Sequence, residues 1–565
     1  MVNVKNLFGM AVMATALVAC SSNDDLTSNG HEGNQTGEAY ASFRINLPTT
    51  TGTRAAGDPT FDGGDKNEYA VKDAALLLFK KEGSDFKFKE VVDLGNMEPW
   101  TASGTNGITT TAKLTAKITN AEVGENKGYY ALIVLNNNGN KIKYPSTDET
   151  YAKWSKDAGN ATVANYLKYD NGFFMANAPK YVAGAPETLV EIKNIYASKQ
   201  QAENSTATTV YVERGLAKVS LASTSAKHVD ITGGNYAGDM VDIEGWTLDV
   251  TNTKTYPVHV TEGLWADTWK TATTPAATNG ASMDRFHDTK LTSEFPRVYW
   301  GLDPNYSTNF ASVADCEREF TMATKGNFKT GAEAKKAQYC LENTFDIDHM
   351  VQGQTTRVLF SAKYTPDNFA DGETFYKFGN SPKLWHAADV VAQIKAKAQE
   401  VLGEADANKV TVTLDAEGND MTKSGVRLVA AANISHGETA LNDEQVDQIN
   451  AKLGFKKATS TDAAVGLSTY ESGVSYYVAR VKHFNGLTPW TPGDKTYAGN
   501  NANWLGRYGV LRNNWYELSV SSVSGPGYPD VPKVNPTDPD DVNDQYINVE
   551  VKILDWAKRS QSIDL

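Results

Sequence analysis

The chain has 565 residues, too many for one ordinary hydrophobic core, so two domains with additional segments are expected. Aromatic residues make up 10 % of the sequence, with 26 Tyr and 11 Trp, which is typical of a β-rich extracellular protein rather than a disordered one. The net charge of −14 argues against nucleic acid and against an anionic membrane surface as partners.

The N-terminus has the features of a secretory signal. Lys5 precedes an apolar stretch at residues 7–19, which is too short to span a bilayer as a stable helix. The stretch ends in Leu-Val-Ala-Cys20, which resembles a bacterial lipobox, a motif whose cysteine is acylated. An ordinary signal peptide with a chance cysteine is the alternative. We therefore expect a lipoprotein signal peptide at residues 1–19 and a lipid on Cys20 that anchors the precursor in the outer membrane.

An alternating segment follows the polar residues 21–38. Its apolar positions alternate with polar ones and are Ala41, Phe43, Ile45 and Leu47. This period of two predicts a β-strand with one buried face and one solvent-exposed face. Pro48 lacks the N–H that further pairing needs, so the strand is expected to end there.

A Thr- and Gly-rich loop comes next and ends at Arg54, which is followed by the small residue Ala55. The next arginine in the sequence is Arg214. An Arg-specific protease would therefore find one accessible bond here, between Arg54 and Ala55. Cleavage would release the preceding strand and leave its apolar slot empty. We interpret residues 20–54 as a propeptide with a removable strand.

From residue 70 onward the pattern predicts short strands separated by turns. Continuous apolar runs at residues 75–79 and 129–135 are suited to central strands covered on both faces. Residues 86–94 and 111–118 alternate instead, as half-buried strands do. Regular strands without alternating helices indicate a β-sandwich rather than a βαβ fold.

A polar stretch at residues 197–209 predicts a domain boundary. It places an N-terminal β-sandwich domain at residues 55–208 and a C-terminal one at residues 209–523. Apolar residues at helical spacing predict an amphipathic helix at residues 386–402 and a shorter one at 443–453. The expected class is therefore all-β with minor helical insertions.

Residues 524–565 are expected to form a linker followed by a strand. Repeated Pro and Asp at residues 525–544 predict an extended linker that does not fold back, with a reach of roughly 60 Å. The final strand has apolar Ile547, Val549, Val551 and Ile553 at alternate positions. This pattern repeats that of the removable strand, so the terminal strand is a candidate to fill a vacated slot by β-augmentation.

Motifs for catalysis or for metal and cofactor binding are not evident in the sequence. Cys316 and Cys340 could form a disulfide in an oxidising envelope, or they could be two buried or free thiols. Four tryptophans could line a sugar-binding platform, although tryptophan in a core or an interface is more common; they are Trp246, Trp265, Trp269 and Trp300. No residue pair is nominated as the acid and base of a glycosidase.

Several segments resemble the fimbrillin family that builds type V pili on Gram-negative anaerobes, and the resemblance is closest to shaft fimbrillins of the short, minor-type fimbriae. Together with the lipobox and the terminal strand, it spans nearly the whole chain. The segments are residues 173–177 (FFMAN), 212–219 (VERGLAKV), 245–246 with 251–256 (GW, TNTKTY), 299–306 (YWGLDPNY), 339–344 (YCLENT), 477–484 (YVARVKHF) and 506–516 (GRYGVLRNNWY).

The resemblance implies two transthyretin-like β-sandwich domains, lipoprotein export through Cys20, and cleavage between Arg54 and Ala55 by an Arg-specific cysteine protease of the gingipain kind. It also implies a homopolymer on the cell surface, formed by exchange of the C-terminal donor strand, with pilus anchor and tip subunits as further partners. A tip subunit needs no donor strand and an anchor subunit is not cleaved. This chain has both a candidate donor strand and a candidate cleavage site, so a structural shaft subunit, and not an enzyme, is the favoured role. The alternatives are a tip or anchor component, a surface glycan-binding lipoprotein and a lipid-anchored glycan hydrolase.

Overall fold

The computed structural model describes residues 38–48, 66–95, 101–102, 108–182, 185–223, 225–261, 296–306, 310–344, 349–414, 425–459, 464–483, 508–536, 538 and 547–555. Strands predominate in these ranges, and the all-β class with minor helical insertions is confirmed.

The strands, in chain order, are β1 (Ala39–Pro48), β2 (Ala74–Glu82), β3 (Asp85–Gly95), β4 (Thr101–Ala102), β5 (Ile108–Ile118), β6 (Gly124–Leu135), β7 (Met175–Asn177), β8 (Lys180–Val182), β9 (Ala185–Glu187), β10 (Val190–Ile195), β11 (Thr208–Arg214), β12 (Leu216–Leu221), β13 (His228–Asp230), β14 (Met240–Asp249), β15 (Thr251–Asn252), β16 (Phe320–Thr321), β17 (Lys329–Thr330), β18 (Gln338–Leu341), β19 (Arg357–Thr365), β20 (Phe375–Phe378), β21 (Leu384–Trp385), β22 (Val410–Val412), β23 (Val426–Arg427), β24 (Ile434–His436), β25 (Thr439–Ala440), β26 (Leu467–Tyr470), β27 (Val474–Arg480), β28 (Asn514–Val523) and β29 (Ile547–Asp555).

The α-helices are α1 (Lys66–Tyr69), α2 (Tyr151–Ser155), α3 (Val163–Tyr166), α4 (Lys199–Asn204), α5 (Val313–Glu319), α6 (Ala387–Leu402) and α7 (Asp443–Leu453). The two predicted insertion helices are confirmed as α6 and α7. Both end at a glycine in the left-handed conformation, Gly403 and Gly454, as helix C-termini commonly do. Their buried faces share a separate hydrophobic cluster with residues of β20, β22, β24 and β26.

The first sheet has the order β3-β2-β6-β7-β11-β1-β5-β4, with β10 paired to β6. The two strands predicted from continuous apolar runs, β2 and β6, are adjacent inside this sheet, and Leu77 lies opposite Leu132. Leucines on both faces of β2 are buried, as a doubly covered strand requires. Most of the largest hydrophobic cluster of the described residues comes from this sheet.

Two further sheets enclose the second core. One has the order β18-β12-β28-β29, and the other has the order β13-β14-β19-β27 with β17 paired to β14. A single hydrophobic cluster takes Val219 and Leu518 from the one sheet and Phe360 and Tyr477 from the other. This arrangement is compatible with a β-sandwich, while the transthyretin-like topology of the two domains stays a prediction.

The change from the first sheet to the second falls at Gly215, not between residues 208 and 209 as we expected. β11 precedes Gly215 and pairs with β1 and β7, whereas β12 follows it and pairs with β18 and β28. A Cβ added at Gly215 would lie 2.0 Å from the hydroxyl of Tyr166, so only glycine fits at the crossing. The polar stretch that suggested the boundary contains α4 and leads into β11, which is the last strand of the first sheet in chain order.

Candidate assembly site

β1 is an internal strand of the first sheet. It runs antiparallel to β5 and parallel to β11, so both of its backbone edges are paired. Phe43 lies opposite Leu114 of β5 and opposite Thr208 of β11. The alternating pattern correctly predicted a strand here. The structure identifies the two strands with which it pairs, which the sequence pattern did not predict. Loss of β1 would leave β5 and β11 with unpaired N–H and C=O groups.

The predicted apolar face of β1 is buried in the first core. Ala41, Phe43, Ile45 and Leu47 are each at most 1 % exposed, and all four belong to the same hydrophobic cluster. A strand with this burial fills part of the core rather than covering its edge. Its removal would open an apolar slot along the length of the strand.

The opposite face of β1 is less exposed than we expected. Arg44 is exposed, but Ser42 and Asn46 are buried. The hydroxyls of Ser42 and Thr115 are 2.9 Å apart, and Thr111 donates a 2.7 Å hydrogen bond to Asn46. Helix α4 packs against β1 and contributes to this burial. The short polar side chains of this face are therefore satisfied by β5 rather than by water.

The beginning of β1 is held by polar contacts. Tyr40 exchanges two 2.8 Å backbone hydrogen bonds with Tyr196. Glu38 forms a salt bridge with Lys117 and accepts a 2.9 Å hydrogen bond from the hydroxyl of Tyr40. The hydrogen bond from Lys117 lowers the pKa of Glu38, which lies at the protein surface. These contacts fix the register of β1 at the end away from Arg54.

Cys20, Arg54 and Ala55 lie outside the described residues, but the chain downstream of them is anchored in α1. Glu68 is buried and accepts hydrogen bonds from Tyr339 at 2.6 Å and from Lys218 at 2.8–3.1 Å. Its backbone carbonyl accepts a 2.7 Å hydrogen bond from Arg214. Because β12 and β18 supply two of these donors, a chain beginning at Ala55 would stay attached to the second sheet. No motif in the sequence identified Glu68.

A second buried charge cluster joins the ends of β11 and β18 to distant segments. Glu213 contacts His259 at 2.7 Å and Arg297 at 3.0 Å, and Glu342 forms a salt bridge with Arg512. Burial opposes the charge of Glu213, but the neighbouring cations outweigh it and lower the pKa of this carboxyl. Arg297 also donates a 3.2 Å hydrogen bond to the carbonyl of Arg512. These contacts tie the junction between the sheets together.

The terminal strand is present as β29, but it does not extend freely from the chain. It pairs antiparallel with β28, and this register places Val551 opposite Leu518 and Val549 opposite Val520. Ile553 lies opposite Tyr516 and Ile547 opposite Val523. Our expectation that the linker would prevent pairing within the same subunit was wrong, because β28 offers a free backbone edge beside β12.

The linker is likewise docked rather than extended into solvent. We name residues 525–536 together with Asp538 the strap. Tyr528 exchanges two backbone hydrogen bonds with Tyr476, and Arg357 donates a 2.6 Å hydrogen bond to the carbonyl of Pro532. Asp538 accepts a 2.9 Å backbone hydrogen bond from Gln352. A proline has no backbone N–H but keeps its carbonyl oxygen as an acceptor. The carbonyl groups of the strap therefore accept hydrogen bonds from donors on the domain.

The two described cysteines are free thiols, so the disulfide that we considered is not formed. Both are buried, but they belong to different hydrophobic clusters: Cys316 lies in α5 beside Val534 of the strap, and Cys340 lies in β18. Burial raises the pKa of Cys316 to about 11 and that of Cys340 to about 12. Neither thiol is therefore activated as a nucleophile at neutral pH.

Two of the four tryptophans considered for a sugar platform are described, Trp246 and Trp300, and both are fully buried. They are core residues and are not available to stack on a glycan. The other two lie outside the described residues. In the ranges given above, no group of three or more metal-ligating side chains could hold a metal ion. No helix within those ranges combines the length and the apolar character needed to cross a bilayer.

Asp303, near the second charge cluster, predicts a measurable dependence of stability on pH. Burial raises its pKa to about 7, although Asn252 and Asn305 donate hydrogen bonds to it. The folded chain thus holds a proton that the unfolded chain releases at a pH of about 4. The contribution of Asp303 to the free energy of unfolding is therefore highest below pH 4, and it is lost as the pH rises from 4 through 7.

We expect Asp303→Asn to remove this dependence. The free energy of unfolding of the variant minus that of the wild type should rise by about 2–4 kcal/mol between pH 4.5 and pH 7.5. Denaturant unfolding at both pH values measures it, with Asp371→Asn at an exposed salt bridge as the control. A difference that does not change with pH would contradict the assignment.

Comparison with known proteins gives one family match. Residues 468–562 match the model described as major fimbrial subunit protein type IV, fimbrillin, C-terminal. The matched region includes β27, β28, the strap and β29, which are the elements that place the terminal strand. None of the curated proteins matches the chain.

Solved structures of low similarity were also found. A candidate cell adhesion protein from Parabacteroides distasonis is 10 % identical, with a TM-score of 0.34 over 93 % of this chain and 99 % of that chain. One from Bacteroides eggerthii is 12 % identical, with a TM-score of 0.31 over 92 % and 97 %. A fimbrial assembly protein from P. distasonis is 12 % identical, with a TM-score of 0.26 over 62 % and 96 %. TM-scores this low do not establish a shared fold. On this sequence match, residues 468–562 of the chain carry the C-terminal region of the fimbrillin family of fimbrial subunit proteins.

Proposed function

We propose that this fimbrial subunit forms the shaft of a surface fimbria and polymerises by strand exchange. The precursor is exported as a lipoprotein through Cys20 and is held at the outer membrane by its lipid. An Arg-specific protease cuts between Arg54 and Ala55 and frees the segment that contains β1. The terminal strand of a neighbouring copy then enters the vacated slot, while anchor and tip subunits occupy the two ends of the polymer.

The burial of β1 is the observation that carries this proposal. A strand paired on both edges, with four apolar side chains inside the core, leaves a defined acceptor when it departs. Exposed apolar surface and two unpaired strand edges favour any strand that can restore them. The terminal strand offers four aliphatic residues at the same spacing.

The expected gain from complementation is large enough to drive association. Burying four aliphatic side chains contributes roughly 6–12 kcal/mol before costs. Ordering the incoming strand offsets part of this gain, as does the loss of its pairing with β28. Before cleavage β1 occupies the acceptor slot and β29 lies on its own subunit. The intact precursor therefore stays monomeric, and the proteolytic cut controls the start of assembly.

Blocking the cut tests the proposal. We expect an Arg-specific protease to convert the wild-type precursor to one main product that begins at Ala55 and forms filaments under the electron microscope. Arg54→Ala and Arg54→Lys should both remain uncut monomers, because neither offers the arginine that the protease recognises. Arg54→Lys also keeps the positive charge, so it separates loss of cleavage from loss of charge.

Arg44→Lys is the matched control, since Arg44 lies within β1 and is held in paired backbone. It should be processed like the wild type. Filaments from uncut Arg54→Lys protein would show that assembly does not need the cut.

A further inference from the structure

The strap is fixed to the C-terminal domain along its whole described length. Near its beginning, the hydroxyls of Tyr477 and Tyr470 donate hydrogen bonds of 3.0 and 3.1 Å to the carbonyls of Gly525 and Gly527. Gly527 has a φ of +61°, and a Cβ there would lie 2.5 Å from the carbonyl oxygen of Tyr476. The strap therefore packs directly on β27 and not through flexible side chains.

The middle and the end of the strap are held equally closely. Arg357 bridges Asp249, at 2.8 Å, and the carbonyl of Pro532. Val534 is buried in a cluster with Cys316, and Asp538 is bonded to Gln352. Lifting the strap would leave a buried guanidinium with fewer partners, expose this cluster and leave two buried tyrosine hydroxyls without these acceptors.

Docking of the strap shortens the tether of the terminal strand. Nine residue steps separate Asp538 from Ile547, and a fully extended chain of that length spans about 30 Å. A tether free from Gly525 onward would have 22 steps and span about 75 Å. The docked strap thus reduces the reach of the strand to less than half of the free value.

We propose that the strap stays docked during strand exchange, so that the acceptor slot of the neighbouring copy must lie within about 30 Å of Asp538. The exit point lies beside α5 and residues 349–354, because a Cβ placed on Gly353 would lie 2.6 Å from the Cys316 sulfur and 3.1 Å from the Cα of Pro536. This end of the C-terminal domain is the face on which the second copy docks. The inference rests on the proposed strand exchange and adds to it the position of the partner.

A disulfide that locks the strap tests this inference. A Cβ placed on Gly353 would lie 3.6 Å from the Cβ of Pro536, which fits a disulfide. The variant is Gly353→Cys with Pro536→Cys, combined with Cys316→Ala because the Cys316 sulfur is 2.6 Å from the same Cβ. After cleavage at Arg54, the oxidised variant should polymerise within twofold of its reduced form. An oxidised monomer that polymerises more than tenfold better after reduction would overturn the inference.

The length of the tether provides an independent second test. Deleting residues 541–544 leaves five steps, or about 17 Å, and should reduce polymerisation of the cleaved chain at least tenfold. Replacing the same residues with Gly-Ser-Gly-Ser keeps the length and should preserve polymerisation. A deletion without effect, together with an oxidised cysteine variant that stays monomeric, would show that the strap does not stay docked.

The wild-type chain, cleaved in parallel, separates the two proposals. If it does not polymerise, strand exchange itself is wrong. If it polymerises while the oxidised variant does not, only the docked strap is wrong.

Discussion

Cleaved protein carrying Val551→Asp is expected to remain monomeric, whereas cleaved Lys552→Asp is expected to polymerise like the wild type. Val551 belongs to the apolar set that alternates along β29, and a carboxylate at that position would enter the slot vacated by Phe43 and its neighbours without a partner. Burying an unpaired charge costs several kcal/mol, a large part of the gain that complementation offers.

Lys552 is the matched control because it belongs to the alternate, polar set of the same strand. Within its own subunit it lies opposite Glu517, so Lys552→Asp would place two acidic residues across the ladder. Like charges at such a position weaken strand pairing only slightly, by up to about 1 kcal/mol. If anything, this substitution eases release of β29 from β28.

The readout is the ladder of SDS-resistant oligomers after cleavage. Val551→Asp should give the monomer band alone, and Lys552→Asp should give the wild-type ladder. Thermal unfolding of both uncleaved variants shows whether the subunit itself is intact. Equal ladders from two folded variants would mean that β29 is not the donor.

Phe43→Ala is expected to destabilise the precursor by about 3–5 kcal/mol and to have no effect on the assembled, cleaved chain. Phe43 is fully buried in the first core, so its truncation removes apolar burial and leaves a cavity. In the polymer, the proposed exchange has replaced β1, and the substitution departs with the propeptide.

Denaturant unfolding of the precursor, and then of polymers made from the cleaved chain, measures both halves of this prediction. Arg44→Ala, on the exposed position between Phe43 and Ile45, is the control and should change the stability of either form by less than about 0.5 kcal/mol. An equal loss of stability in the polymer would show that β1 remains in the slot.

Local sequence pattern predicted the elements whose burial follows a simple period. The alternation at residues 41–47 identified β1, and the run at residues 129–135 identified most of β6. Apolar residues at helical spacing located α6 within one residue. In each case neighbours in sequence determine the structure, because one face or one stripe has to be buried.

The strap and the sheet boundary depend on residues that are distant in sequence. Arg357 reaches Pro532 across 175 positions, and Arg214 reaches Asn513 across 299. A Pro- and Asp-rich segment has the composition of a free linker, and only the donors on the domain surface decide that it docks. For the same reason, spacing could not show that Cys316 and Cys340 lie in separate clusters.

The mixed pairing of β1 has a consequence for the polarity of a filament. β1 has one parallel and one antiparallel neighbour, and a strand inserted in the reverse direction would also have one of each. Backbone hydrogen bonds alone therefore do not choose a direction. The apolar side chains of the terminal strand do not choose one either, since Ile547, Val549, Val551 and Ile553 have the same sequence of sizes from both ends. Whichever direction the strand takes, every contact joins the slot of one copy to the terminal strand of the next, so each added subunit repeats the orientation of the one before it. The resulting fibre has two chemically different ends, one with an empty slot and one with an unused strand.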